Sequence, residues 1–168
     1  LAGPAPARFL EAGCGPGSIA GVRQRERGCA VVPIDLGWGG RQSGRGMHIA
    51  RLAQANIAAL PFADAGFDLI LSLDVIVHFP RGQEKSAMRE MARVLAPKGL
   101  IVLRVSALDV LHSRHSEFTY AIHRFTRRRP KELFKATGIR VLRSTDSHPP
   151  LPPAPLFEFR LVGSTRPH

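Results

Sequence analysis

The chain holds only two cysteines in 168 residues, Cys14 and Cys29. They form no paired metal-ligand spacing, so neither a disulfide framework nor a cysteine metal site is expected. Lysine is absent before Lys85. That removes the phosphate-binding loop, whose Gly-Lys-Ser/Thr ending would have to follow the glycines near the start of the chain. No run approaches the roughly 20 apolar residues that cross a bilayer. Leu1 to Arg8 lack the basic-then-apolar order of a secretion signal, and the expectation is a soluble, cytoplasmic protein. The first residue is leucine rather than methionine, which suggests a trimmed or partial chain with an N-terminal cap or substrate-gating helix ahead of it. Aromatic side chains that could stack on bases are few: Trp38, Tyr120 and nine phenylalanines. Acidic residues number 13 against 24 basic ones, a formal charge of +11. The excess favours anionic partners, whether nucleic acid, phospholipid headgroups or a phosphorylated small molecule, without choosing among them.

What is present suffices for one domain spanning 1–168, since 44% of the residues are hydrophobic. Short apolar runs alternate with helical patterns. Strands are expected at 8–13, 29–35, 49–56, 67–79, 100–107, 139–146 and 156–163. Helices are expected at 18–27, with Ser18 as N-cap, at 83–97, and at 130–138, with Pro130 in its first turn and Gly138 as its stop. The polar, arginine- and histidine-rich stretch 108–129 looks like an inserted lid or substrate segment, and 148–155 like a stiff proline linker. The alternation implies a doubly wound α/β fold with a mostly parallel sheet and right-handed crossovers.

In such a sheet, ligands bind at the carboxyl ends of the strands where the strand order reverses. The stretch "LEAGCGPGS", residues 10–18, falls there. Its glycines admit positive backbone angles and let a ligand touch the main chain, and a helix beginning at Ser18 would attract a carboxylate or phosphate. A nicotinamide dinucleotide site wants a third glycine where Ser18 stands. A Tyr-x-x-x-Lys pair is also missing, because Arg124 follows Tyr120. A nicotinamide oxidoreductase is weakened but open at this point, as is a basic nucleic-acid-binding domain.

Beyond the glycine stretch, "VVPID", "QANIAALPFADAGFDLILSLDVIVHF" and "EMARVLAPKGLIVLRV" follow in order. Together with "FLEAGCGPGS" they resemble the class I S-adenosylmethionine-dependent methyltransferases of the small-molecule, methyltransferase-11-like type, over about residues 8–145. That resemblance implies a Rossmann-like sheet in the order 3-2-1-4-5-7-6, its last strand antiparallel, inside a three-layer αβα sandwich. It implies S-adenosylmethionine as cofactor and methyl transfer to a small or lipid-linked, possibly anionic acceptor. Glu11 would orient the methionine ammonium through the loop, and Gly13, Cys14, Gly15 and Gly17 would surround the methionine moiety. Asp35 would accept from both ribose hydroxyls, Leu36 would pack beside the adenine, and Asn56 and Ile57 would meet its edge. Ser72 and Leu73 would line the methionine side. Asp74 and His78 would face the substrate as candidate catalytic groups, although a histidine at a strand end also serves purely structural roles. His115, Arg124 and Phe125 in the 108–129 segment would contact the acceptor. The chain departs from the pattern at Glu11, in place of aspartate, at Val77, where glutamate is frequent, and at Lys98, in place of the first glycine of a Pro-Gly-Gly turn. Histidines 112, 115 and 123 have no carboxylate at a metal-ligand spacing, so no metal is expected.

Overall fold

The computed structural model describes residues 8–15, 30–37, 52–107, 128–147 and 157–164. Strand β1 (Arg8–Ala12) lies between two parallel neighbours, β2 (Ala30–Asp35) and β4 (Phe67–Leu73), with Phe9 opposite both Val31 and Leu69. Strand β3 (Ala53–Gln54) pairs with the end of β2. On the other side β4 pairs in parallel with β5 (Leu95–Ala107). Strand β7 (Phe157–Ser164) runs antiparallel to β5 and to β6 (Arg140–Ser147). The sheet has seven strands in the order β3-β2-β1-β4-β5-β7-β6, as the resemblance implies. The order reverses between β1 and β4, which makes their carboxyl ends the binding edge.

The core explains the elements. Leu10, Ile34, Ile70, Ile101 and Leu103 are fully buried on the central strands. They belong to one apolar cluster with Ala87, Met88, Met91 and Val94 of helix α1 (Glu84–Val94) and Leu133 and Phe134 of α2 (Arg128–Ala136). The spacing of the α1 residues gives a stripe of period 3.6 against the sheet. Phe9 and Val31, one position out of phase with Leu10 on β1 and Ile34 on β2, form a second cluster with Leu69 and Leu71. That is the two-sided burial of a central parallel sheet. The helix expected over 18–27 and the linker 148–155 lie outside the described residues, as does the stretch 37–47 apart from Gly37.

Several boundaries differ from the pattern-based ones. The fourth strand ends at Leu73 rather than 79: Asp74 takes a left-handed conformation, φ 55°, and Ile76–His78 form a 3₁₀ turn that buries Ile76 and Val77. The apolar run is continuous in sequence but serves two elements. Helix α1 stops at Val94, and Leu95 already pairs with Phe67 as β5. Of the third strand only Ala53–Gln54 is strand among the described residues. Helix α2 starts at Arg128, two residues ahead of Pro130, so Arg128 and Arg129 belong to it rather than to the 108–129 segment. The missing N–H of Pro130 still falls among the first four donors, which have no partner inside a helix. At the other end Ile139 N–H donates to Phe134 C=O and Gly138 N–H to Lys135 C=O. With Gly138 at φ 76° this is a Schellman stop.

Candidate functional site

A cavity of about 740 Å³ opens at the carboxyl ends of β1, β2, β4 and β5. Gly13 and Gly15 reach it from the turn after β1, Asp35 and Leu36 from the end of β2, and Ala55 to Ile57 from the segment after β3. Leu73, Asp74, Val75 and His78 come from the end of β4 and the turn beyond it, and Arg104 comes from β5.

The glycine turn is built on β2. The N–H groups of Gly13 and Cys14 both donate to Ile34 C=O at 2.9 Å. Gly15 N–H donates to Asp35 Oδ2 at 2.8 Å, and Gly37 N–H donates to Asp35 Oδ1 at 3.0 Å. The carboxylate therefore faces the turn, held by one N–H per oxygen, with a second lone pair on each oxygen for a ligand. The two glycines serve different ends. A Cβ on Gly13 would lie 2.2 Å from Val75 Cγ2, so this glycine, at φ 82°, is required by packing against the chain leaving β4. A Cβ on Gly15 would meet nothing within 4 Å. Its φ of 50° sets the turn and its open side faces free volume.

Asp74 pairs with Arg104. Asp74 N–H donates to Arg104 C=O at 3.0 Å, and Arg104 Nε and Nη2 lie 2.8 and 2.6 Å from Asp74 Oδ2. Asp74 is a fixed ionic wall of the cavity. His78 is exposed at the end of the 3₁₀ turn and lines the same cavity. Leu36 is 66% exposed, an apolar side chain in contact with the cavity rather than with the core.

The cavity thus brings together Gly13, Gly15, Asp35, Leu36, Asn56, Ile57, Leu73, Asp74 and His78 of the residues singled out in the sequence. Glu11, Cys14 and Ser72 are buried beside it and do not line it. Burial first, then the charges of Glu11 and Asp35, push the Cys14 thiol up to about 12. Gly17, His115, Arg124 and Phe125 lie outside the described residues. Arg129, at the end of the arginine-rich stretch 108–129 in the sequence, pairs with the fully buried Glu84 at the start of α1. Burial opposes ionisation of Glu84, but the hydrogen bond from Arg129 leaves its pKa below the ordinary carboxylate value. Arg104, Phe79, Pro80 and Gln83 line the cavity without having been singled out. Arg104 stands opposite Leu73 in the parallel register. A cation and an anion at neighbouring strand ends was the available signal. Among the described residues no three His, Cys, Asp or Glu side chains are grouped to hold a metal, and no helix is long and apolar enough to cross a membrane.

Sheet order, glycine turn and strand-end carboxylate together define the class I S-adenosylmethionine-dependent methyltransferase fold. Within that class, the chain belongs to the methyltransferase domain family, which it matches over residues 10–103. It is 37% identical over 106 residues to a malonyl-[acyl-carrier protein] O-methyltransferase of Enterobacter lignolyticus, an alignment covering 62% of this chain and 41% of that protein. The chain thus spans less than half the length of that relative. A solved S-adenosylmethionine-dependent methyltransferase of Methanosarcina mazei superposes with a TM-score of 0.77 at 16% identity, covering 98% of this chain and 95% of the other. The Burkholderia thailandensis 1,6-didemethyltoxoflavin-N1-methyltransferase, solved with bound 1,6-didemethyltoxoflavin and S-adenosylhomocysteine, gives a TM-score of 0.74 at 21% identity, covering 96% of this chain and 72% of the other.

Proposed function

We propose that this chain carries the catalytic domain of an S-adenosylmethionine-dependent methyltransferase acting on a small acceptor. The observation that carries the reading is the Asp35 carboxylate turned onto the glycine turn at the mouth of a 740 Å³ cavity. The residues fit the cofactor. The open side of Gly15 leaves room for its amino-acid end, and the two remaining lone pairs of Asp35 match two vicinal hydroxyls. Leu36 offers an apolar face to the adenine, with Asn56 and Ile57 along its edge. Leu73 and Asp74 flank the methionine side. Glu11, Cys14 and Ser72 act from beneath, holding the shape of the turn and of the end of β4.

When bound, the cofactor supplies a methyl group already activated by a sulfonium. The protein therefore has to align rather than activate. Holding a nucleophile about 3 Å from the methyl carbon, in line with the breaking bond, supplies much of the rate. Asp74, clamped by Arg104, fixes the backbone where β4 opens towards the acceptor. His78 stands exposed at that mouth to take the proton of a hydroxyl acceptor. An acceptor carboxylate would need no base. The relative named for a malonyl thioester and the charge of +11 both favour an anionic acceptor, with His115, Arg124 and Phe125 as the residues to contact it.

Transfer of labelled methyl from S-adenosylmethionine tests the reading, with dicarboxylate thioesters, hydroxylated small molecules and transfer RNA offered in parallel. Label in a small carboxylate is the expected result. Label in RNA alone would overturn the small-acceptor reading.

A further inference from the structure

We propose that Arg93, with Glu90 as its counterion, is a positioning residue for the cofactor. It is a clasp outside the cavity that fixes the segment carrying Ala55, Asn56 and Ile57, and it rests on the reading above in which these residues meet the adenine. Neither Arg93 nor Glu90 lines the cavity; both belong to α1.

All five N–H donors of the Arg93 guanidinium are used. Nε and one Nη2 donor reach Glu90 Oε1 and Oε2, each at 2.8 Å. The other Nη2 donor reaches Leu60 C=O at 2.9 Å. The Nη1 donors reach Phe62 C=O at 2.8 Å and Asp64 Oδ1 at 2.7 Å. Glu90 Oε2 also accepts from Leu60 N–H at 2.8 Å, and the Arg93 carbonyl accepts from Ala65 N–H at 3.0 Å. Residues 60–65 are thereby fastened to a single turn of one helix. Apolar contacts brace the same segment: Leu60 is buried, and the Phe62 ring meets Phe67 edge-on with centroids 5.0 Å apart.

The connection from clasp to cavity is short and stiff. Asn56 Oδ1 accepts from Ala58 N–H at 2.9 Å and Asn56 C=O from Ala59 N–H at 3.0 Å, so the chain between Leu60 and Asn56 is a closed turn. Upstream, Ala55 N–H is tied to Asp35 C=O at 2.9 Å. With the clasp in place, the wall at 55–57 is held at both ends. With the clasp removed, its far end keeps only the apolar contacts of Leu60 and Phe62. A planar five-donor fork has no equivalent in lysine, whose three donors radiate from one point. The clasp also joins "LPFAD" (60–64) to "EMARV" (90–94), two segments that lie apart in sequence.

The test titrates S-adenosylhomocysteine and S-inosylhomocysteine, which differ at the 6-amino group of the base, against wild type, Arg93→Met, Arg93→Lys and the core control Leu133→Ala. Wild type is expected to prefer the adenosyl ligand. Arg93→Met should bind it about tenfold more weakly at unchanged stoichiometry and lose most of the preference, with Arg93→Lys in between. Leu133→Ala should lower the melting temperature and keep the preference. If Arg93→Met does not fold, Arg93→Lys and Glu90→Gln carry the same comparison. A folded Arg93 variant with wild-type affinity and preference overturns the inference. If wild type itself shows no preference, the adenine reading fails, and the clasp then stands or falls on the loss of S-adenosylhomocysteine affinity alone.

Discussion

At the scale of single residues, the site is a set of backbone donors aimed at one carboxylate and one ion pair aimed across two strand ends. Asp74 holds a left-handed backbone that costs an L-residue roughly 1–2 kcal/mol, and its bond to Arg104 offsets part of that cost. Both partners are about one-third exposed, so solvent screens the pair. A double-mutant cycle with Asp74→Asn and Arg104→Met should give a coupling of about 1 kcal/mol in thermal stability. Additive losses would mean the pair does no work. Cys14 yields a second prediction. With its thiol pushed up to about 12, it should resist alkylation at pH 8 in the folded protein and react once the chain is denatured. Equal labelling in both states would contradict its burial. Asp35 and Gly15 were legible because their roles depend on spacing within one βα unit. Arg104 was not, because its partner is set by the register between β4 and β5, which only the folded sheet supplies.

At the scale of elements, the irregular stretch of β5 between Leu95 and Leu100, where its register against β4 shifts, shows what a departure from a family pattern does. Lys98 occupies a left-handed position, φ 64°. Gly99 is packed so that a Cβ would lie 2.8 Å from Ala96 C=O and from Leu95 Cδ1. The two positions should respond oppositely. Lys98→Gly removes a left-handed penalty of roughly 1–2 kcal/mol and adds a glycine entropy cost of roughly 0.5–1 kcal/mol, a small net gain. Gly99→Ala should destabilise by roughly 1–3 kcal/mol through overpacking. Melting curves of the two variants check both signs. The family pattern marked Lys98 as a departure from a Pro-Gly-Gly turn, but neither the stop of α1 at Val94 nor the end of the fourth strand was legible. In "FDLILSLDVIVHF" hydrophobicity is the same before and after Asp74, and only the Arg104 contact and the 3₁₀ turn divide the run.

At the scale of the whole molecule, acid should weaken the clasp that ties residues 60–65 to α1. The Arg93 hydrogen bond holds Glu90 below its ordinary value of 4.5. Its contribution is therefore complete above that value and is lost as pH falls through the lower, folded-state value. Glu90→Gln should flatten the acid limb of the stability profile below about pH 4.5; an unchanged limb would place the acid sensitivity elsewhere. The doubly wound class was readable from the alternation of strands and helices, and the strand order from the family resemblance. The acceptor was not, because a charge of +11 favours anionic partners without choosing among them. The account turns on one carboxylate holding a sugar at a glycine turn. Calorimetric titration of S-adenosylhomocysteine into wild type and Asp35→Ala tests this most directly. The account predicts binding by wild type and a loss of at least about tenfold in the variant. Equal affinity in the two proteins would contradict it.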